Sequence, residues 1–169
     1  MPIEQARFGT LGIGSGGDFR IRFERELAHP LDRVWNALVD PGKLRVWMPG
    51  CVIEPYVGGR VHYDFGDEGA ATGVVTRLEA PGERGLLEHT WVWPGVPDSA
   101  VLWQLAPAVA GTTLTLTHRE LVAEPARDFA IGWHLILDTL ERYAAGLEWE
   151  DVWDGYEEIS AGYASRTVG

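Results

Sequence analysis

The sequence predicts an α+β protein in which a curved antiparallel sheet of about seven strands wraps a long C-terminal helix, with two short helices after the first strand. Three observations carry this. Residues 51 to 121 form a run of strand-period segments joined by short Gly- and Pro-rich links, and such links join antiparallel neighbours. From about Ala126 the apolar period lengthens to that of a helix. Helical spacing also succeeds the first strand, and helices at both ends of a strand run point to one sheet face covered by helix.

Residues 1 to 18 read as a flexible lead-in, ending in Gly12, Gly14, Gly16 and Gly17. The letters G-x-G-x-x-G occur there, but a dinucleotide site needs a helix to open after the glycines so that its amides meet a pyrophosphate. Instead the chain continues with Phe19, Ile21 and Phe23 alternating with Arg20, Arg22 and Glu24, a strand pattern. Pro30 then suits a helix first turn, and Val34, Trp35, Leu38 and Val39 keep helical spacing until Asp40-Pro41-Gly42. A second short helix runs through Leu44 to Trp47.

Strands are expected near 51 to 57, 60 to 66, 71 to 79, 85 to 93, 99 to 106 and 112 to 121. Their turns are Gly58-Gly59, Asp67-Glu68-Gly69, Pro81-Gly82, Pro94 to Asp98 and Pro107 to Gly111. On the long helix Phe129, Trp133, Ile136, Leu137, Leu140, Tyr143, Ala144 and Leu147 make a wide apolar stripe. An acidic extension starts at about 148 and carries Trp149, Trp153 and Tyr156 near helical spacing. Two Trp residues are too apolar for a merely solvated face, so both are expected to dock. Residues 19 to 169 are read as a single domain.

A chain of 169 residues suits one substantial core. With 25 acidic against 14 basic side chains the net charge is −11, and no basic cluster supplies the footprint that nucleic acid or an anionic membrane needs. Cys51 is the one cysteine. No disulfide forms within the chain, and no Cys/His set has zinc spacing. No basic region leading into an apolar run marks the N-terminus for export, so the expected location is cytoplasmic.

Alternation selects the inward faces, because a one-residue slip would turn an apolar set to solvent. Leu87, His89, Trp91 and Trp93 share one face, as do Val101, Trp103 and Leu105, and Leu114, Leu116 and His118. A meander sets Trp91 beside Val101 and Trp103 beside Leu114. Val61, Tyr63 and Phe65 face inward on an earlier strand, and Val74, Thr76 and Leu78 on the next. The first strand contributes Phe19, Ile21, Phe23 and, by parity, Arg25. An apolar interior with a few convergent polar groups is how small-molecule sites are built, and many plain cores look the same.

The chain resembles the helix-grip superfamily known as SRPBCC or START-like, and within it the group similar to the activator of the heat-shock-protein-90 ATPase. The residues carrying the resemblance begin with Arg25, Pro30, Val34-Trp35, Asp40-Pro41, Trp47 and Pro49. They continue with Gly58-Gly59, Gly73-Val74-Val75, Thr113 to His118 and Gly132-Trp133, spanning roughly 19 to 147. The resemblance implies a cavity between sheet and helix that binds hydrophobic small molecules, with catalysis in branches such as aromatic polyketide cyclases. The chaperone activator itself carries a further N-terminal domain, so direct chaperone stimulation is not expected here.

The leading expectation is therefore a non-enzymatic binder of a small hydrophobic or aromatic molecule. Its candidate lining is Arg25, Tyr63, His89, Trp91, Trp103, Leu116, His118, Trp133 and Leu137. The alternatives are a cyclase- or hydrolase-type enzyme using His118, His89 and Tyr63 for acid/base work, or a protein-interaction module, as a homodimer or with a chaperone-related partner, using the acidic C-terminal surface. His118 and His89 also have a structural reading, as core histidines bonded internally. Arg25 either anchors a carboxylate or is held by a structural acid such as Glu54 or Asp64. No nucleophile elbow is present, no cofactor is implied, and two histidines without a third ligand make a poor metal site.

Overall fold

The computed structural model describes residues 7–13 and 17–164. Eight strands form one antiparallel sheet in the order β1-β2-β8-β7-β6-β5-β4-β3. They are β1 (Thr10–Ile13), β2 (Phe19–Leu27), β3 (Cys51–Ile53), β4 (Arg60–Asp64), β5 (Ala70–Glu79), β6 (Gly85–Trp91), β7 (Ser99–Ala108) and β8 (Gly111–Leu121). Helices α1 (Leu31–Val39) and α2 (Pro41–Trp47) come after β2, and the long α3 (Ala123–Ala144) and short α4 (Tyr156–Ala164) close the chain. The expected helix-grip architecture is therefore present.

Local chemistry explains the start of α2. The Asp40 carboxylate accepts from the backbone N–H of Gly42 and Lys43, and Pro41 occupies the first turn, where no N–H is needed. On α3, Trp133, Leu137 and Leu140 are buried as the stripe requires.

Seven strands correspond to those expected, and the eighth, β1, lies within the segment read as lead-in. It pairs Leu11 with Ile21 and Ile13 with Phe19. The glycine run thus links strand to strand, with no helix after it to meet a pyrophosphate; Gly14 and Gly16 lie outside the described residues.

Two expectations on the sheet need correction. Trp91 lies opposite Ser99, and Val101 opposite His89; Trp103 lies opposite Leu116 and Leu87. The expected register was two residues off, and a shift of two leaves parity intact, so the inward faces came out right. On β5 the inward residues are Ala71 and Val75, while Val74 and Thr76 face out. A bulge between Val75 and Arg77 resets the phase, so that Leu78 returns inward opposite Leu87. Gly73 sits just before it, where an added Cβ would lie 2.0 Å from the Thr90 carbonyl oxygen. Glycine lets β5 pass this close to β6.

The C-terminal segment docks in part. Trp149 is half-buried with its ring edge-on to Tyr143 at 5.5 Å, whereas Trp153 meets Phe65 at 6.3 Å between ring centres and stays 39% exposed. The deeper anchor is Tyr163 of α4, fully buried, whose hydroxyl accepts from the Gly9 N–H and meets His134 Nδ1 of α3.

Candidate functional site

Strand alternation brings Tyr63 of β4, His89 and Trp91 of β6, Trp103 of β7 and His118 of β8 onto one concave face, opposite Trp133 of α3. Each is at most 3% exposed. The Trp133 ring stands against Tyr63 at 5.7 Å, Trp91 at 5.2 Å and Trp103 at 5.5 Å. Two of these contacts are edge-to-face, the arrangement aromatic quadrupoles favour. Phe129, one turn earlier on α3, stacks on His118 at 5.5 Å. Leu116 and Leu137 are also fully buried.

The polar atoms fix one another's protonation. Trp133 Nε1–H donates to His118 Nδ1 at 3.0 Å, so that nitrogen carries no proton and the neutral ring is protonated at Nε2. Nε2–H then donates to Ser99 Oγ at 2.8 Å, and the Ser99 hydroxyl donates to the Trp91 carbonyl at 3.4 Å. His89 Nδ1 faces the Thr90 carbonyl at 3.0 Å, which only accepts, so Nδ1 bears the proton. Nε2 is left to accept from the Tyr63 hydroxyl at 3.2 Å. Both imidazoles are therefore neutral, with every nitrogen engaged.

Burial deepens that preference. It pushes His118 down to about 3, helped by the nearby His89, and His89 to about 4 against weaker opposing effects of the Thr90 carbonyl and Glu88. Burial likewise pushes the Tyr63 hydroxyl up, so it stays protonated. These shifts contribute to the pH dependence of stability. Below the ordinary histidine value of about 6.5 the unfolded chain takes up protons that the folded chain refuses, so stability falls as pH falls towards 4 and 3. Each histidine adds a slope of up to about 1.4 kcal/mol per pH unit. In urea melts between pH 7 and 5, His118→Asn is expected to lose its share of that slope; an unchanged slope would show that His118 titrates normally.

Two donors remain unmet. Among the described residues, the buried indole nitrogens Trp91 Nε1 and Trp103 Nε1 have no hydrogen-bond partner. The Trp103 N–H does lie near enough to the Tyr63 oxygen to favour its ionised form slightly, although it falls short of hydrogen-bonding geometry. Trp91 has no such neighbour. By contrast Trp47 Nε1–H donates to the Ala37 carbonyl at 2.7 Å, and Trp133 to His118.

Arg25 stands apart from this cluster. It lies four residues along β2 from Ile21, the residue opposite His118, which is roughly 13 Å of strand. Its guanidinium is only 3% exposed and donates to Asp138 at 2.8 Å, to Glu141 at 2.6 Å and twice to the Arg7 carbonyl. Arg7 reaches the same two carboxylates. The structural acids are thus Asp138 and Glu141 of α3. Glu54 and Asp64 instead accept the backbone N–H groups of Arg60 and Gly66 at turns.

Ser99 and Phe129 join the site without having been singled out from sequence. Parity with Val101 and Trp103 was the available signal for Ser99, and spacing of one turn from Trp133 for Phe129. Among the described residues no group of three or more His, Cys, Asp or Glu side chains could hold a metal ion. No described helix is long and apolar enough to cross a membrane. Cys51 is buried, and burial pushes its thiol up, away from reactivity.

The same fold recurs in known proteins. CalU16 from Micromonospora echinospora superposes with a TM-score of 0.74, 26% identity and coverage of 93% of this chain and 95% of its own. CV1439 from Chromobacterium violaceum gives a TM-score of 0.60 at 27% identity, covering 74% of this chain and 96% of its own. DynU16, described as a protein in the dynemicin biosynthetic locus, gives 0.61 at 26% identity, over 73% of this chain and 46% of DynU16. No curated protein sequence matches the chain. The family of Activator of Hsp90 ATPase homolog 1-like proteins matches residues 28–145, a span from the entry to α1 to the end of α3, and the chain belongs to that family.

Proposed function

We propose that the protein binds a small hydrophobic, aromatic molecule between the sheet and α3 without transforming it. The observation that carries this is the buried indole N–H of Trp91 left without an acceptor in an aromatic interior, where the N–H of Trp103 has only the Tyr63 oxygen nearby, outside hydrogen-bonding geometry. An unmet buried donor costs about 1–3 kcal/mol, and a bound acceptor relieves it. The place of DynU16 in a biosynthetic locus supports a biosynthesised small molecule as the ligand. A cytoplasmic setting accords with a lone, buried cysteine.

The same geometry favours binding over acid/base catalysis. A general acid or base works best with a pKa near the working pH, and His89, His118 and Tyr63 are all pushed away from it. Titration with a panel of apolar aromatic molecules is expected to give saturable quenching of tryptophan emission. Free ligand at about a hundred times its Kd should add about 2.7 kcal/mol of stability. A panel that changes neither emission nor melting temperature would dispose of the reading.

A further inference from the structure

A second group of rings lies outside the buried cluster, where four segments meet. Phe65 follows β4, Trp93 follows β6, Phe129 is on α3, and Trp153 sits in a turn of 3-10 helix, Val152–Gly155, that runs into α4. Phe65 meets Trp153 at 6.3 Å and Trp93 at 6.0 Å, and Trp93 meets Phe129 at 5.6 Å. Phe65, Trp93 and Phe129 are half-buried and form the base. Side chains three residues apart on a 3-10 helix share one side, which sets Tyr156 with Trp153. These two rings are the outer ones, 43% and 39% exposed.

Carboxylates surround them. Partial burial pushes the Tyr156 hydroxyl up, and the negative charges of Asp128 on α3 and Glu68 between β4 and β5 push it further, so both acids act on this ring. The connections that meet here, residues 64–69, 93–98 and 149–158, bring further acids such as Asp67, Asp151 and Asp154 and no Lys, Arg or His; on α3, Arg127 precedes Asp128. An aromatic face attracts a cation within about 6 Å of its centre, and the acids add to that attraction. A metal ion would need a set of ligands that the described residues do not assemble. An alkylated ammonium needs none, because its methyl groups bury against the rings while its charge faces them. Two exposed rings are also too small a face for a protein partner, which takes about 1,000 Å² in total.

We propose that Trp153 and Tyr156, backed by Phe65 and flanked by Asp128 and Glu68, bind the alkylammonium group of a small organic cation at the surface. This site is separate from the interior and does not rest on the binding reading above.

Choline and 3,3-dimethyl-1-butanol test it, since they share one shape and differ by a quaternary nitrogen in place of carbon. Each is titrated into the full chain at constant ionic strength and followed by the indole N–H and tyrosine ring resonances. Choline is expected to shift Trp153 and Tyr156 saturably and to bind about tenfold more tightly than the alcohol. Trp153→Leu, followed at Tyr156, keeps apolar bulk without the ring face and should lose that preference. Asp128→Asn and Glu68→Gln should each weaken choline severalfold and leave the alcohol unchanged. Equal affinities for the two molecules, or choline shifts that never saturate, overturn the proposal. A choline preference that survives in Trp153→Leu overturns the assignment to this face; should that variant not fold, full choline affinity in both carboxylate variants does the same. None of these outcomes touches the interior reading, which neutral aromatic molecules test.

Discussion

Trp133→Ala is expected to lower stability by about 3–5 kcal/mol, because it empties the centre of the aromatic cluster. The ring is 1% exposed and stands against Tyr63, Trp91 and Trp103. The substitution also removes the donor to His118 Nδ1, leaving a buried acceptor unmet, which adds about 1–3 kcal/mol. Domains are stable by only about 5–15 kcal/mol, so the variant should be marginal. Trp133→Phe separates the two effects. It retains most of the packing, loses the hydrogen bond, and should let His118 protonate at higher pH, an upward shift of the imidazole titration visible by NMR. A wild-type urea midpoint for Trp133→Ala would mean that α3 does not grip the sheet through this residue.

Arg25→Ala should destabilise by about 3–5 kcal/mol, the usual consequence of leaving buried charges without their partner. The lower end is expected, since Asp138 and Glu141 are 20% exposed and keep Arg7. Lysine should not rescue fully. Arg25 uses three nitrogens on three acceptors, and an ammonium cannot span that fork. Because two of those bonds hold the Arg7 carbonyl, the segment leading into β1 should be released first, as faster proteolysis or amide exchange around Arg7 to Ile13. Unchanged protection there, with lowered global stability, would show that the network anchors α3 alone.

Much of this architecture was legible in residue order, and the reasons are specific. Alternation is robust to error in register, so His89, Trp91, Trp103 and His118 fall on one face although the predicted pairing was two residues off. The stripe on α3 likewise sets Trp133 against them. The failures lie where non-local contacts decide. β1 is four residues long and gains its structure from pairing with β2, which no local pattern announces. The β5 bulge lies between Val75 and Arg77, just beyond the close approach of Gly73 to the Thr90 carbonyl, and alternation alone does not announce it. The acids that hold Arg25 come from α3, 113 and 116 residues away, so sequence neighbours pointed to Glu54 and Asp64 instead. Trp153 was expected to dock and remains partly in solvent.

The pairing of β2 with β8 also governs when the chain can fold. It joins Phe19 to Leu121 and Leu27 to Thr112, so the second strand emerges from the ribosome long before its partner. At about 5–20 residues per second that interval lasts several seconds. During it the apolar face of Ile21 and Phe23 has only β1 beside it and no α3 above it. Pairings of such long range make folding slow, and the sheet closes only after most of the chain has been synthesised.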